Sequence, residues 1–363
     1  MRLLICAGGT GGGVYPALAV LEALHSEHPT LDALWVGGEG GMEAELVTRA
    51  GIRFETIPAA GLHGVGLRAL PYNLARLARG YFASRRILRA FRPDVLFFTG
   101  GYVAVPMALA GWRIPTLLYV PDIEPGLALK ALARFADCIT VTAPDSQAYF
   151  DQQVIVTGYP LRADLATWSR RKARAALGLS SSLPVLLVFG GSKGARSINQ
   201  AVLAHLPALL EMAEVVHISG QLDWEEVEKA EAGLSSEMRK RYHTFPYLHE
   251  MGKALAAADL VVSRAGASTL GELPFFGLPA VLVPYPYAWR YQKVNAGTLA
   301  QHGGAVILED GRLMQDLCET VRVLLENSGK RESMRAAMHS LARPQASQAI
   351  ARQLLDLAGV KSL

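Results

Sequence analysis

The chain has 363 residues and a mass of 39.0 kDa, which is more than one hydrophobic core usually organises, so its length predicts two domains. Hydrophobic residues make up 51% of the chain and charged residues 19%, with a mean hydropathy of +0.21, and this composition excludes a disordered protein. The net charge of +4 is small, so the placement of the charges is more informative than their sum.

The sequence also disfavours membrane-spanning and secreted proteins. The uncharged run from Val95 to Trp112 is long enough for a short span, but Gly100, Gly101 and Pro106 interrupt it, so we expect a strand, a turn and a buried helix there. No secretory leader is visible, which predicts a cytoplasmic protein. Three widely spaced cysteines fit neither a disulfide framework nor a zinc cluster, and we expect buried thiols at Cys6, Cys138 and Cys318.

The first half of the chain begins with a strand, a glycine turn and a helix. Residues Leu3 to Cys6 are a β-like run, residues Gly8 to Gly13 are a glycine-rich turn, and a helical pattern follows from Pro16. Further apolar runs alternate with helical stretches, as a parallel doubly wound sheet requires. We expect these strands at residues 33–36, 53–57, 94–98, 115–120, 137–141 and 154–156.

A basic segment lies between Thr56 and Pro93, which has seven arginines and no acidic residue. Interleaved apolar residues predict a basic amphipathic helix of the kind that lies on an anionic lipid surface. Alternatively, the apolar stripe packs in the core and the arginines are only solvated; nucleic-acid binding is not expected, because no recognised module accompanies the charge. The predicted membrane face consists of Arg76, Arg79, Phe82, Arg85, Arg86 and Arg89.

The second half repeats the opening pattern. Residues 184–189 predict a strand, Gly190 to Gly194 a turn, and the residues around Ile198 a helix. Further strands are expected at residues 214–219, 242–245, 259–262, 279–283 and 304–307.

A charged and serine-rich stretch after residue 162 has the composition of a domain junction. We therefore predict domains at residues 1–162 and 163–340, with a helix in residues 341–363 that packs back toward the first domain. In such folds ligands lie beyond the carboxyl ends of the strands, so two facing α/β domains predict a cleft between them.

The two glycine turns are typical of sites where backbone N–H groups approach a phosphate at a helix N-terminus. The first departs from the dinucleotide motif GxGxxG at Val14, and neither is a Walker A loop, since no Gly-Lys-Ser/Thr follows at the required spacing. Dehydrogenases and P-loop NTPases are therefore disfavoured. Tight turn packing alone remains the alternative for each loop.

A third informative stretch is SRAGASTLGELPFFGLPAVLVPYP, residues 263–286. It predicts a buried strand, a small-residue turn at a helix start, and the carboxylate of Glu272 within that helix. The turn offers amides to a diphosphate, and the carboxylate can accept both hydroxyls of a ribose. This combination predicts a nucleotide-diphosphate site; a solvated helix residue is the alternative for Glu272.

Over nearly the whole chain these motifs resemble the MurG family. The resemblance is carried by GGTGG at 8–12, GGY at 100–102, GGSKGA at 190–195, and the 263–286 block followed by Gln292 and Asn295. It implies a transferase that moves N-acetylglucosamine from UDP-GlcNAc to the undecaprenyl-diphosphate-linked muramyl-pentapeptide of peptidoglycan synthesis. It also implies the α/β GT-B fold, two Rossmann-like doubly wound parallel-sheet domains that face an interdomain cleft, with the acceptor on the N-terminal domain and the donor mainly on the C-terminal one.

The resemblance further implies roles for individual residues. Glu272 would hold the ribose, Gln292 the sugar hydroxyls, and Arg162 the acceptor diphosphate. Helix N-termini with Lys193 or Arg264 would stabilise the departing UDP without a metal or other cofactor. The implied donor contacts are Thr10, Gly11, Gly12, Ser192, Lys193, Gly194, Arg264, Ala267, Ser268, Glu272 and Gln292, and the implied acceptor contacts are Tyr102 and Arg162.

The chain departs from the family pattern chiefly on the acceptor and sugar side. Gly13 stands where the family has His after GGTGG, and the HEQN segment reads Tyr119 to Asp122. Tyr159 replaces the Asn of GNP, and Tyr291 replaces the first Gln of a Gln pair. The nucleotide side is nearly intact.

An inverting transfer needs a group that takes the acceptor proton. Asp122 is the first candidate for this general base, because it stands where the polar acceptor-site segment of the family ends. Glu124 and His63 are reserves, and a structural carboxylate is the alternative for Asp122.

We therefore expect an inverting, metal-independent transferase that uses UDP-GlcNAc, acts on the 4-hydroxyl of the muramyl sugar, and is peripheral to the cytoplasmic face of the cell membrane. The expected partners are UDP-GlcNAc, the undecaprenyl-linked lipid acceptor and an anionic membrane surface; other cell-wall synthesis proteins are left open, and no nucleic acid is expected. Three alternatives stay open: a related transferase with a different lipid acceptor, a UDP-sugar epimerase, and a non-catalytic UDP-sugar-binding protein of the same fold.

Overall fold

The computed structural model describes residues 1–8, 11–41, 43–59, 70–179, 182–191, 194–287 and 290–360. The chain divides into two compact units, Met1–Arg162 with Pro344–Leu363, and Ala163–Arg343. Each unit contains one parallel β-sheet with helices in its crossover connections. The predicted α/β fold class with two Rossmann-like parallel-sheet domains is confirmed.

The first unit has a seven-stranded sheet in the order β3-β2-β1-β4-β5-β6-β7. Its apolar strands pack with helices around a core that includes Val36, Ile57 and Met107. The strands are β1 (Arg2–Cys6), β2 (Asp32–Gly38), β3 (Arg53–Ile57), β4 (Val95–Phe98), β5 (Thr116–Val120), β6 (Cys138–Val141) and β7 (Ile155–Val156). The helices before the unit boundary are α1 (Gly11–Glu27), α2 (Glu43–Arg49), α3 (Leu70–Phe91), α4 (Ala104–Ala110) and α5 (Leu127–Leu132).

Helix α1 begins earlier than the sequence predicted. The glycine turn was expected to reach Gly13, but Gly11 is already helical and Pro16 lies inside the helix. Glycine can adopt helical backbone angles, and a proline at this position removes only one hydrogen bond, to the carbonyl oxygen of Gly12. The first turn of α1 is therefore made of glycines, with no side chains to shield its backbone.

Helix α3 contains the basic segment and has two faces. Ile87, Leu88 and Phe91 are buried in the core of the first unit, as the core-packing alternative predicted. Phe82, by contrast, is 68% exposed, and Leu74 is 50% exposed. The apolar residues of this helix are therefore divided between the core and the protein surface.

The second unit has a six-stranded sheet in the order β10-β9-β8-β11-β12-β13. Its strands are β8 (Val185–Phe189), β9 (Glu214–Ile218), β10 (Tyr242–Phe245), β11 (Leu260–Ser263), β12 (Ala280–Leu282) and β13 (Ala305–Ile307). Its helices are α6 (Arg170–Ala176), α7 (Arg196–Ala204), α8 (Leu206–Met212), α9 (Trp224–Ala232), α10 (Ser236–Arg239), α11 (Met251–Ala257), α12 (Thr269–Phe276), α13 (Tyr291–Gln301), α14 (Leu313–Glu326) and α15 (Ser328–Leu341).

The last helix of the chain, α16 (Ala346–Leu357), belongs to the first unit and packs against α1. Ser347 anchors it through a 3.4 Å hydrogen bond from its hydroxyl to the carbonyl oxygen of Leu161. The three cysteines are unpaired: Cys6 and Cys318 are buried, whereas Cys138 is half-buried. Among the helices of the described ranges, none has the length and apolarity that a bilayer crossing requires.

Candidate functional site

Each sheet has a topological switch point, and both glycine turns lie there. In the first sheet β1 and β4 are neighbours, although two strands separate them in the chain; in the second sheet the same is true of β8 and β11. Connections leave such neighbouring strands in opposite directions, which opens a crevice at their carboxyl ends where ligands of α/β proteins bind. The fold therefore defines one candidate site in each unit.

In the first unit the loops that follow β1 and β4 are in direct contact. The hydroxyl of Thr99 donates a 2.7 Å hydrogen bond to the carbonyl oxygen of Gly13. Gly101 has a φ of +88°, and a Cβ atom there would lie 3.1 Å from the carbonyl oxygen of Gly8. Only glycine combines this left-handed backbone with so close an approach. Gly11 and Gly12, which are half-buried, lie at the start of α1 next to this contact.

The two predicted acceptor residues lie near these loops: Tyr102 is adjacent in the sequence, and Arg162 is adjacent in space. Tyr102 follows Gly101 directly and is 53% exposed, so its ring is available to a ligand. The guanidinium carbon of Arg162 lies 5.1 Å from the ring centroid of Tyr15, in the first turns of α1. This cation–π contact holds Arg162 beside the glycine start of α1.

In the segment Tyr119 to Asp122, Tyr119 lies in the core and Asp122 lies beyond a strand end. Tyr119 is fully buried in β5, and its hydroxyl is 2.8 Å from that of Thr142. Burial and the nearby Asp122 raise the pKa of Tyr119 well above its ordinary value, although the Thr142 hydrogen bond opposes this. Tyr119 is therefore a neutral core residue, whereas the half-buried Asp122 follows the carboxyl end of β5.

The reserve candidates differ in their surroundings. The carboxylate of Glu124 is buried and forms an ion pair with Lys130, with 3.8 Å between the charged atoms. His63 lies outside the described residues, as do three predicted donor residues, Thr10, Ser192 and Lys193.

In the second unit the loop after β8 folds back tightly on itself. Gly191 has a φ of +93° and Gly194 a φ of +79°, and the N–H of Gly194 donates to the carbonyl oxygen of Gly191 over 2.9 Å. A Cβ atom on Gly190 would lie 2.2 Å from the backbone nitrogen of Ala195. The described residues Gly190, Gly191 and Gly194 are therefore tightly packed at the start of α7, where a helix N-terminus favours a phosphate.

The turn after β11 leads into α12 as the sequence predicted. From Thr269 onward the backbone N–H groups are used by the helix: Thr269 donates to Gly266 over 3.0 Å, and Glu272 donates to Ser268 over 2.8 Å. The amides of Ala267 and Ser268 precede these bonds, at the end of the helix that favours anions. The half-buried Glu272 is in the first turns of the same helix.

Arg264 has partners that the sequence did not indicate. Its guanidinium donates to the carboxylate of Asp310 and, over 2.8 Å, to the hydroxyl of Ser197. It also donates to the carbonyl oxygen of Val283 over 3.2 Å, and only 9% of the residue is exposed. Arg264 therefore ties the turn after β11 to the start of α7 and to β12; a direct contact between Arg264 and a nucleotide stays a prediction.

Helix α13 supplies two amide side chains to the same edge of the sheet. The Oε1 atom of Gln292 accepts a 2.9 Å hydrogen bond from the N–H of Tyr285, which sets the direction of the carboxamide. The buried Asn295 donates from Nδ2 to the carbonyl oxygen of Ala265 over 3.1 Å. With its oxygen engaged, Gln292 can offer N–H groups to a sugar hydroxyl. Asp310, Ser197 and Asn295 had no assigned role in the sequence analysis, because each acts through a partner distant in the chain.

In the described part of the chain, no group of three or more His, Cys, Asp and Glu side chains is placed to hold a metal ion. The expectation of metal-independent chemistry stays a prediction.

Comparison with known proteins identifies the class. Residues 3–141 match the N-terminal domain of glycosyltransferase family 28, and residues 185–352 match its C-terminal domain. The fold and the two loop sites therefore belong to a glycosyltransferase of this family.

The particular family follows from the relatives. The chain is 41% identical, over 97% of its length and 94% of the relative, to the UDP-N-acetylglucosamine–N-acetylmuramyl-(pentapeptide) pyrophosphoryl-undecaprenol N-acetylglucosamine transferase of Roseiflexus sp. strain RS-1. It is also 41% identical to the protein of the same name from Desulforudis audaxviator, over 99% of both chains. A crystal structure of Acinetobacter baumannii MurG superposes with a TM-score of 0.78 at 28% identity, and the match covers 98% of this chain and 99% of that one. The chain belongs to the MurG family, and the sequence resemblance is confirmed.

One further neighbour shares only the fold. A UDP-GlcNAc 2-epimerase from Neisseria meningitidis, solved with UDP-GlcNAc bound, superposes with a TM-score of 0.70 at 14% identity over 98% of this chain and all of that one. At this identity the likeness concerns architecture alone, so the transferase is favoured over the epimerase alternative.

Proposed function

We propose that this chain transfers N-acetylglucosamine from UDP-N-acetylglucosamine to the N-acetylmuramyl-(pentapeptide) pyrophosphoryl-undecaprenol acceptor, attacking through the 4-hydroxyl of the muramyl sugar with inversion at the anomeric carbon. The observation that carries this proposal is the 41% identity over nearly the full length of both chains to transferases of that name. The position of both glycine turns at the switch points of the two sheets supports it.

The donor binds to the second unit. The ribose hydroxyls are accepted by the carboxylate of Glu272, and the diphosphate lies at the helix N-termini of α7 and α12, which favour negative charge. Gln292 donates to the hydroxyls of the transferred sugar. The other donor contacts proposed in the second unit are Ser192, Lys193, Gly194, Ala267 and Ser268, and Arg264 holds the 264–268 turn in place. Thr10, Gly11 and Gly12 stay donor contacts that the family resemblance implies.

The acceptor binds to the first unit, at the loops after β1, β4 and β5. Tyr102 and Arg162 contact it, and the guanidinium of Arg162 binds its diphosphate. The carboxylate of Asp122 takes the proton from the attacking hydroxyl as the oxygen bonds to the anomeric carbon of the donor. The bond from that carbon to the β-phosphate oxygen breaks with its electron pair, and UDP leaves.

No metal takes part in this mechanism. The charge that develops on UDP is stabilised by the helix N-termini and by Lys193. The guanidinium of Arg264 is already paired with Asp310, so its contribution to this step is smaller than that of an unpaired cation.

The enzyme acts at an anionic membrane surface, on its cytoplasmic face, where helix α3 binds. Phe82, Arg85, Arg86 and Arg89 share one face of this helix and, with Ala90, line a surface hollow of about 600 Å³. The exposed Phe82 can enter the lipid interface while the arginines meet phosphate groups. Arg79 is exposed as well, whereas Arg76 is half-buried and paired with Glu39 over 3.2 Å, so it contributes less.

The test is a transfer assay with radiolabelled UDP-GlcNAc and the undecaprenyl-linked muramyl-pentapeptide lipid in vesicles, with and without a chelator. We expect label in the lipid phase at equal rates in both samples. Loss of transfer with chelator would contradict the metal-free mechanism. A protein that binds UDP but transfers no label to this lipid would contradict the proposed acceptor, and release of the C2 epimer without an acceptor would favour an epimerase.

A further inference from the structure

A series of hydrogen-bonded, buried polar side chains leads to the backbone of Ser219, which lies against Gly194. It runs from Tyr242 in β10 through His217 in β9 to Asn199 in α7. The Tyr242 hydroxyl is 2.8 Å from Nδ1 of His217, and Nε2 of His217 is 3.0 Å from Oδ1 of Asn199. Nδ2 of Asn199 then contacts the carbonyl oxygen of Ser219 at 2.8 Å and the carboxylate of Asp223 at 2.7 Å.

The direction of every hydrogen bond in this chain is determined. Ser219 and Asp223 offer only acceptor atoms, so the nitrogen of the Asn199 carboxamide must face them and its oxygen must face His217. His217 therefore donates from Nε2 and accepts at Nδ1 from the Tyr242 hydroxyl. Burial lowers the pKa of His217 to about 4, consistent with the neutral ring that this pattern requires. These hydrogen bonds therefore have one consistent assignment of donors and acceptors.

Asn199, at the end of this series, holds a backbone oxygen that lies against Gly194. A Cβ atom on Gly194 would lie 2.2 Å from the carbonyl oxygen of Ser219, the same oxygen that Asn199 holds. The backbone of Gly194 is therefore packed against the Ser219 carbonyl, with no room for a side chain between them. Asn199 itself is buried in α7, the helix that the loop begins.

We propose that Asn199, oriented by its hydrogen bonds to Ser219 and Asp223, is the positioning residue that holds the backbone at Gly194 for the diphosphate of the donor. This inference rests on the proposed function. Asn199 does not touch the donor; it acts through the Ser219 carbonyl. Asn199 and His217 are buried, so loss of the Asn199 carboxamide leaves the Ser219 carbonyl oxygen and the His217 N–H without this partner, and the backbone beside Gly194 loses its support.

The variants Asn199→Ala and Tyr242→Phe distinguish this role from general stability. Both remove buried hydrogen bonds of one chain, but only Asn199→Ala releases the Ser219 carbonyl. We expect Asn199→Ala to weaken inhibition by UDP about tenfold and to raise the KM for UDP-GlcNAc by a similar factor. Inhibition by uridine, which has no diphosphate, and the KM for the lipid acceptor should stay within about twofold of wild type. Tyr242→Phe should leave all four constants within about twofold.

Several outcomes would overturn the inference. Unchanged UDP inhibition in Asn199→Ala would do so, as would equal weakening for UDP and uridine, or equal weakening in Tyr242→Phe. If Asn199→Ala does not fold, Asn199→Ser, which keeps a shorter donor, serves in its place with the same expectations. A wild-type protein that binds neither UDP nor UDP-GlcNAc would refute the proposed function itself, a result distinct from a wild-type enzyme whose variants show no selective loss.

Discussion

Gly13 and Thr99 are in direct contact across the two loops of the first unit. The Thr99 hydroxyl donates to the Gly13 carbonyl oxygen over 2.7 Å, and a Cβ atom on Gly13 would lie 3.3 Å from the same hydroxyl oxygen. Gly13 stands where the family pattern has a histidine. In this chain a hydroxyl from the loop after β4 lies beside that position, and it ties the start of α1 to the neighbouring strand.

This contact predicts coupling between the two positions. Gly13→Ala gains helix propensity of about 1 kcal/mol, but its methyl group meets the Thr99 hydroxyl. We expect Gly13→Ala to be less favourable by about 1 kcal/mol in the native background than in Thr99→Ala, where the hydroxyl is gone. Urea unfolding of the wild type, both single variants and the double variant measures this coupling. Strictly additive free energies would contradict it.

Asp122 is predicted to be the general base. Asp122→Asn keeps the shape of the side chain but removes its ability to take a proton, so kcat should fall by about 100-fold or more with little change in either KM. Glu124→Gln is the matched control, because Glu124 is a second carboxylate only two residues away in the sequence and forms an ion pair with Lys130. Its kcat should fall less than about tenfold. Normal turnover of Asp122→Asn in the transfer assay would end this assignment.

Glu272 is predicted to bind the ribose. Glu272→Gln replaces a carboxylate that accepts two hydroxyls by a weaker neutral acceptor, so the KM for UDP-GlcNAc should rise about tenfold or more while kcat changes less. The exposed Glu319 of α14 offers the control substitution Glu319→Gln, which should leave both constants unchanged. Steady-state kinetics with saturating lipid acceptor separate the two parameters. An effect on kcat alone would argue against ribose binding.

The exposed arginines of α3 are predicted to bind anionic lipid. Reversing Arg85, Arg86 and Arg89 to Glu should abolish sedimentation with vesicles that contain phosphatidylglycerol, because each arginine contributes about 1 kcal/mol near such a surface. The control reverses three exposed basic residues of the second unit and changes the net charge equally: Arg171, Lys229 and Lys240. If both triple variants lose binding alike, the effect is one of net charge and α3 has no special role.

The buried His217 is predicted to make stability depend on pH. The unfolded chain binds a proton at this residue below its ordinary pKa of 6.5, whereas burial keeps the folded ring neutral down to a pKa of about 4. The unfolded state therefore holds more protons between these values, so stability rises with pH across this window, by about 3 kcal/mol in total. The variant His217→Phe has no titrating group at this position, so its free energy of unfolding lacks this pH-dependent contribution.

Urea unfolding at pH values from 4.5 to 7 tests the prediction. The free energy of unfolding of the wild type should rise more steeply with pH than that of His217→Phe, because the carboxylates common to both proteins cancel in the comparison. Parallel curves would contradict the prediction.

Much of the fold could be predicted from local patterns. The predicted strands coincide with the observed ones to within two residues, because short Val, Leu and Ile runs such as residues 185–189 are buried on both faces of a parallel sheet. The start of α1 was predicted too late, since glycine has no helical signal of its own and only the contact with Thr99 reveals the ordered turn. For α3 the sequence analysis predicted a membrane face and, as the alternative, packing in the core. It did not predict that the apolar residues of this helix are divided between the core and the surface.

The sequence by itself determined the strand and helix elements, the two glycine loops and the family. Each of these features depends on residues that are close together in the sequence or on a complete sequence motif. Only the tertiary structure decided which side chains support the loops: Arg264 pairs with Asp310, and Asn199 holds the carbonyl of Ser219. The physical reason is the order of the strands. Neighbours in a doubly wound sheet are not neighbours in the chain, so the partner of a buried polar group at the switch point cannot be found by spacing and is chosen by packing.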